Sequence, residues 1–226
     1  MPAGDLALAD LRQHPILWLQ ANALVVYGLG TTGSGARQSR LYKTDSTTTG
    51  AKWQSAVGGD LRDVPYWVMG DTQNYPVGPG GAVLNTGSAP FDVHYVSMRE
   101  FKNGAWEDAN TTHYLLPANA GADMMVTSKL NGCTFGIGSD AQGARLVSHL
   151  RPPNIDPSSD AQEVVRGTES GFAGRGATIA TRVNSTMQEQ GTVIALRSVT
   201  GWTFYIQRFQ AVSGQHYLIN AAFKIP

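Results

Sequence analysis

The stretch Asp123–Leu150, DMMVTSKLNGCTFGIGSDAQGARLVSHL, decides how the chain is read. It holds two short apolar runs, CTFGIG and ARLVSHL, separated by Ser139 to Gly143, a cluster rich in turn-forming residues. That pattern predicts a β-hairpin. With the turn taken as symmetric about Ala141, the expected register sets Cys133 opposite His149, Phe135 opposite Val147 and Ile137 opposite Arg145. Directly opposed residues share a face, with Cβ atoms about 4.5–5.5 Å apart, so a hairpin alone would bring a thiol to an imidazole.

The same texture extends outward. From Val64 onward, short alternating or apolar runs such as PYWVM, FDVHYVSM, TVIALRS, WTFYIQRF and HYLINAAF recur between turn residues, and the chain carries 26 Gly and 11 Pro. This predicts a mostly antiparallel or mixed β-sandwich. Towards the N-terminus, Asp5 to Asn22 places leucines and Ile16 at helical spacing, interrupted by Pro15, which predicts one or two short helices with a break near His14. The fold class is therefore α+β, a sandwich flanked by a few helices. The Gly-, Ser- and Thr-rich segment after Tyr27 reads as loop with short strands. Pro152 to Asp160 is the most linker-like stretch, but strand patterns lie on both sides of it, so residues 1–226 are taken as one domain.

Composition narrows the function classes. Apolar residues are 42% and charged residues 15%, enough for a sizeable core, and 17 basic residues balance 17 acidic ones. A nucleic-acid partner is not expected from so even a charge. A membrane is not expected either, since no long apolar run occurs, and no signal peptide is recognisable. One cysteine, Cys133, excludes an internal disulfide, a four-cysteine zinc site and a CxxC pair. No metal site is expected, because His94 and His113 show neither H-x-H nor HExxH spacing. Gly28-Leu29-Gly30-Thr31-Thr32-Gly33 matches a dinucleotide fingerprint, but Ser34 to Thr49 lacks the apolar periodicity of the helix that motif requires. A serine nucleophile elbow is also missing. The five tryptophans, with Tyr66, Tyr205 and Tyr217, are assigned to core and cross-strand packing.

Cys133 and His149 are the candidate reacting pair. A cysteine attacks as thiolate, and an adjacent imidazole accepts its proton and later returns it to the leaving group. Backbone amides of the turn-prone pair Asn131-Gly132, with that of Cys133 itself, are candidates for an oxyanion site. On spacing alone, an ordinary Asn-Gly turn beside an inert cysteine, with His149 one of five surface or core histidines, is at least an equal reading.

Asp123-Met124, Thr127 and Leu130-Asn131-Gly132-Cys133, with His149-Leu150-Arg151-Pro152-Pro153 downstream, resemble the L-S-G-C motif and H-x-x-x-P pattern of the toxin glutamine deamidases, namely Burkholderia lethal factor and the catalytic domain of the cytotoxic necrotizing factors. The resemblance covers about Leu115 to Pro153 and departs from the family at Asn131, where the motif has serine. It implies a β-sandwich and hydrolysis of a glutamine side-chain amide in a host protein by a secreted or translocated bacterial effector acting in the host cytosol, without cofactor. Cys133 would be the nucleophile, backbone amides around Leu130, Asn131, Gly132 and Cys133 the oxyanion site, His149 the acid and base, and the main-chain carbonyl of Thr127 the group orienting His149, with the Thr127 hydroxyl as runner-up. A transglutaminase or protease, or a non-enzymatic β-sandwich that binds carbohydrate or protein, stays open, as does the oligomeric state.

Overall fold

A computed structural model describes residues 2–27, 29, 33–44, 52–71, 87–102, 105–106, 114–131, 133–139, 144–151, 178–182, 189–214 and 216–225. Its elements are α1 (Ala3–Gln13), α2 (Pro15–Ala21), β1 (Ala23–Tyr27), β2 (Gly35–Thr44), β3 (Lys52–Ser55), β4 (Arg62–Asp63), β5 (Tyr66–Asp71), β6 (Phe91–Val96), β7 (Met98–Lys102), β8 (Ala105–Trp106), β9 (Tyr114–Leu116), β10 (Met124–Thr127), β11 (Thr134–Ser139), β12 (Arg145–Arg151), β13 (Thr178–Arg182), β14 (Glu189–Ser198), β15 (Gly201–Ser213) and β16 (His216–Lys224). The strands form a ten-stranded sheet, ordered β1-β5-β2-β6-β10-β14-β15-β16-β3-β4, and a smaller sheet ordered β13-β11-β12-β7-β8 with β9 also paired to β12. Both sheets are mixed: β1 with β5, β6 with β10, β16 with β3 and β12 with β7 run parallel, and the other pairings are antiparallel.

Strand alternation sorts the core into layers. In β10, Met124 and Val126 join Leu8, Leu11, Trp18 and Leu19 of the helices, along with Leu41, Met69 and Ile194. Met125 lies on the opposite face with Val193, Ala195 and Phe204, against Phe135, Ile137 and Val147 of the smaller sheet. The order is helices, large sheet, small sheet, an α+β sandwich as the residue pattern implies. A third cluster joins the two sides of the large sheet, bringing Ala23 of β1 and Tyr66 of β5 to Phe209 of β15, Tyr217 of β16 and Trp53 of β3; Trp53 stacks on Tyr66 and Tyr217 and meets Phe209 edge-on. Proline at the first position of α2 explains the break after Gln13, because it lacks the N–H that would continue α1. Behind α2, buried Gln207 donates to the carbonyls of Leu19 and Asn22 and accepts from the Leu24 N–H, satisfying helix-end groups that have no partner within the helix.

Two expectations need correction. The segment after Tyr27 contains a ten-residue strand, β2, in the middle of the large sheet between β5 and β6. Leu41 and Tyr42 supply its buried apolar side chains, while Ser39 and Thr44 are buried with their hydroxyls donating to the Gly70 and Tyr66 carbonyls. Polar residues there pack as strand because the neighbouring backbone satisfies them. The hairpin register is also displaced: Phe135 faces His149, Ile137 faces Val147 and Ser139 faces Arg145. Ser139 belongs to the strand, held by a 2.9 Å hydrogen bond from Arg145, so the connection begins one residue later and every pair moves by two. The linker-like stretch and most of the glycine fingerprint lie outside the described residues; Gly33 has φ 66°.

Candidate functional site

His149 sits in β12 between Phe135 of β11 and Met98 of β7, with which it pairs in register. All three side chains turn toward the large sheet, where Thr127 ends β10. The imidazole is fully buried and bridges the two sheets: its Nδ1 lies 2.8 Å from Thr127 Oγ1 and 3.3 Å from Ser128 Oγ. Thr127 Oγ1 donates its proton to the Val96 carbonyl at 2.8 Å. A hydroxyl has one proton, so Thr127 accepts from the imidazole. His149 therefore carries its proton on Nδ1, and Nε2 keeps a lone pair. That Nε2 is buried and makes no hydrogen bond among the described residues. Burial pushes the His149 pKa down to about 3, so the ring is neutral at physiological pH.

Cys133 precedes β11 and is 1% exposed. The two-residue change of register makes it the diagonal neighbour of His149 and keeps it on the same side of the hairpin, within the core cluster that holds Phe135 and Val147. Its Sγ donates to the Asn131 carbonyl at 3.4 Å and lies 3.7 Å from Met98 Sδ. Cys133 adjoins β11, and Met98 begins β7; the strand between them is β12. Adjacent strands are about 4.8 Å apart, so sulfurs in contact from either side must lean over β12, the strand that carries His149.

A cavity of about 340 Å³ opens on this sulfur pair. It is lined by the end of β1 (Val26, Tyr27) with Leu29, by Tyr95 and Met98, and by Ser128, Lys129, Asn131 and Cys133 from the segments beside the hairpin. Burial raises the pKa of Tyr95, an effect its hydrogen bond with Ser128 partly offsets. Burial lowers that of Lys129. Cys133 is part of the lining of this cavity, and His149 is not.

The expected site residues fare unevenly. Thr127 and His149 meet directly, through the Thr127 hydroxyl, the runner-up contact, and Cys133 is the diagonal neighbour of His149 across the hairpin. Leu130 does not offer an oxyanion amide. Its N–H donates to the Gly191 carbonyl at 2.8 Å, and its carbonyl accepts from Gly191 in return. Asn131 turns its carbonyl to the thiol and is itself exposed. Gly132 lies outside the described residues, as does His113. His94 hydrogen-bonds Tyr114 through Nδ1 at 2.9 Å, away from the thiol's partners. Met98, Tyr95 and Ser128 have no local sequence signal of their own; only the parallel pairing of β7 with β12 and of β6 with β10 brings the first two to the site.

No protein-family model matches the chain, and no curated protein matches it. Among solved structures it is similar to the C-terminal domain of CNFy from Yersinia pseudotuberculosis, at 11% identity and a TM-score of 0.41, over 98% of this chain and 97% of that one.

Proposed function

We propose that the chain is a cysteine-dependent amidohydrolase that converts a glutamine side chain of a host protein to glutamate and releases ammonia, acting as a toxin or effector domain. The observation that carries this reading is the state of His149. It is neutral, its Nδ1–H is committed to Thr127, and its bare Nε2 is left unpartnered on the strand over which Cys133 leans. A cysteine hydrolase needs that tautomer, since only an unprotonated Nε2 can take the thiol proton.

The steps balance without a metal or cofactor. Rotation about χ1 turns Sγ from the Asn131 carbonyl toward Nε2. The thiol proton moves to Nε2, and the sulfur attacks the carboxamide carbon, whose oxygen takes the negative charge among main-chain amides beside Cys133. As the C–N bond breaks, the imidazolium gives its proton to the departing nitrogen, which leaves as ammonia. Water then attacks the thioester; Nε2 takes a proton from it and returns that proton to sulfur as the C–S bond breaks, leaving glutamate. A cavity of about 340 Å³ matches one extended side chain entering from a protein surface. The resemblance of residues 115–153 to the toxin deamidases supports the same chemistry.

Near-complete burial of Cys133 favours a second reading, an inert thiol in a binding module. Adding wild-type protein and Cys133→Ser to a eukaryotic lysate, followed by mass spectrometry for glutamine-to-glutamate conversion, decides between them. Conversion by the wild type alone is expected, and identical profiles would overturn the proposal. Alkylation of Cys133 near neutral pH adds a second check, expected to slow in His149→Ala.

A further inference from the structure

The cavity and the buried histidine are connected by one side chain. Ser128 lines the cavity together with Tyr95 and Cys133, and its Oγ also lies 3.3 Å from His149 Nδ1. His149 itself does not line the cavity, so among the described residues Ser128 is the lining residue that hydrogen-bonds the ring. With the Nδ1 proton fixed by Thr127, Ser128 Oγ acts toward His149 as an acceptor, leaving its own hydroxyl proton for Tyr95 Oη. Nδ1–H thus faces two hydroxyls, of which Thr127 passes its own proton to the Val96 carbonyl and Ser128 hydrogen-bonds the Tyr95 phenol.

We propose that Ser128 is a positioning residue: the second acceptor that keeps the His149 proton on Nδ1, and the link through which a side chain filling the cavity against Tyr95 reaches the ring. This rests on the reading of Cys133 and His149 as the reacting pair. The physical need arises when Nε2 takes the thiol proton. The imidazolium then sits where water does not reach, and among the described residues no carboxylate contributes to its titration; burial is the cause of the His149 shift. Two neutral acceptors on Nδ1–H do the work that a carboxylate does in a Ser-His-Asp triad. Ser128 is half-buried beside the cavity, whereas Thr127 is fully enclosed, so a ligand can reach only the former.

The test uses His149 ¹⁵N chemical shifts, which report the tautomer, alongside steady-state deamidation of a protein found to be a substrate in lysate. Ser128→Ala and Thr127→Val singly should each retain the Nδ1–H form, with the Nδ1 shift displaced, and the double variant should move the ring to a mixture of tautomers. Loss of one hydrogen bond to the ring should lower kcat about three- to tenfold in Ser128→Ala with KM nearly unchanged, and Ser128→Thr should restore it. An unchanged His149 spectrum and unchanged kcat in Ser128→Ala would overturn the assignment, as would failure of Ser128→Thr to recover either. If the double variant does not fold, the single variants decide. If wild-type protein deamidates nothing, the enzyme reading fails, while the nitrogen shifts still decide whether Ser128 holds the ring.

Discussion

Acid should weaken this fold through one side chain. His149 has an ordinary pKa near 6.5 when the chain is unfolded and about 3 when folded, because the buried ring resists charge. Above pH 6.5 both states hold the ring neutral and the linkage is silent. Below it the unfolded chain binds a proton that the folded one refuses, so stability falls as pH drops and levels off near pH 3. Each pKa unit is worth about 1.4 kcal/mol, so the whole window amounts to ~5 kcal/mol, of which about 2 kcal/mol is gone by pH 5. That is a large share of a marginal fold, which typically holds about 5–15 kcal/mol. Urea unfolding at intervals from pH 7.5 to pH 4.5, with a constant slope in denaturant, measures the loss. His94, also shifted down by burial, adds in the same direction, so the decisive quantity is the difference between wild type and His149→Gln. The variant should be less stable at neutral pH yet lose about 2 kcal/mol less on going to pH 5. Parallel curves for the two proteins would refute the reasoning, because they would mean that His149 is protonated inside the fold or reaches water.

Three further outcomes are expected. Thr127→Val removes the hydroxyl while keeping the shape; it strips the Val96 carbonyl of a partner and should cost about 1–3 kcal/mol in urea unfolding, with Thr127→Ser costing much less. Leu11→Ala empties a fully buried site between α1 and the large sheet and should cost about 2–5 kcal/mol, seen as a lower Tm by calorimetry. Met98→Ala uncovers the thiol it packs against, so iodoacetamide should modify Cys133 several-fold faster than in wild type, measured by intact mass against time.

Much of this architecture is legible locally. The helices and their break can be read from leucine spacing and Pro15, and most strands from β5 onward, though not β7 and β8, from alternating or apolar runs, because each of those signals is carried by contiguous residues. β2 escapes such reading, since its segment of glycine, serine and arginine becomes a central strand only once β5 and β6 supply partners for its backbone and hydroxyls. The parallel pairings are equally hidden, because they join strands far apart in sequence with no turn to announce them.

The candidate site separates the two kinds of information. Placing the hairpin connection one residue early moves every partner by two, and a period of two returns each side chain to the same face. Cys133 and His149 therefore share a face in either register, and what changes is whether they meet directly or diagonally. Facing is set by alternation within each strand, a local property of the sequence. Distance is set by where Ser139 stops pairing, and by Met98, which arrives on β7 from outside the hairpin to fill the gap beside the thiol. The Thr127 contact follows the same division. Alternation puts residue 127 on the inner face with Met125, but its hydroxyl meets His149 only because the two sheets stack there, which no pattern within either strand specifies. A site built across two sheets is thus readable in its faces and unreadable in its contacts, and the chemistry depends on the contacts.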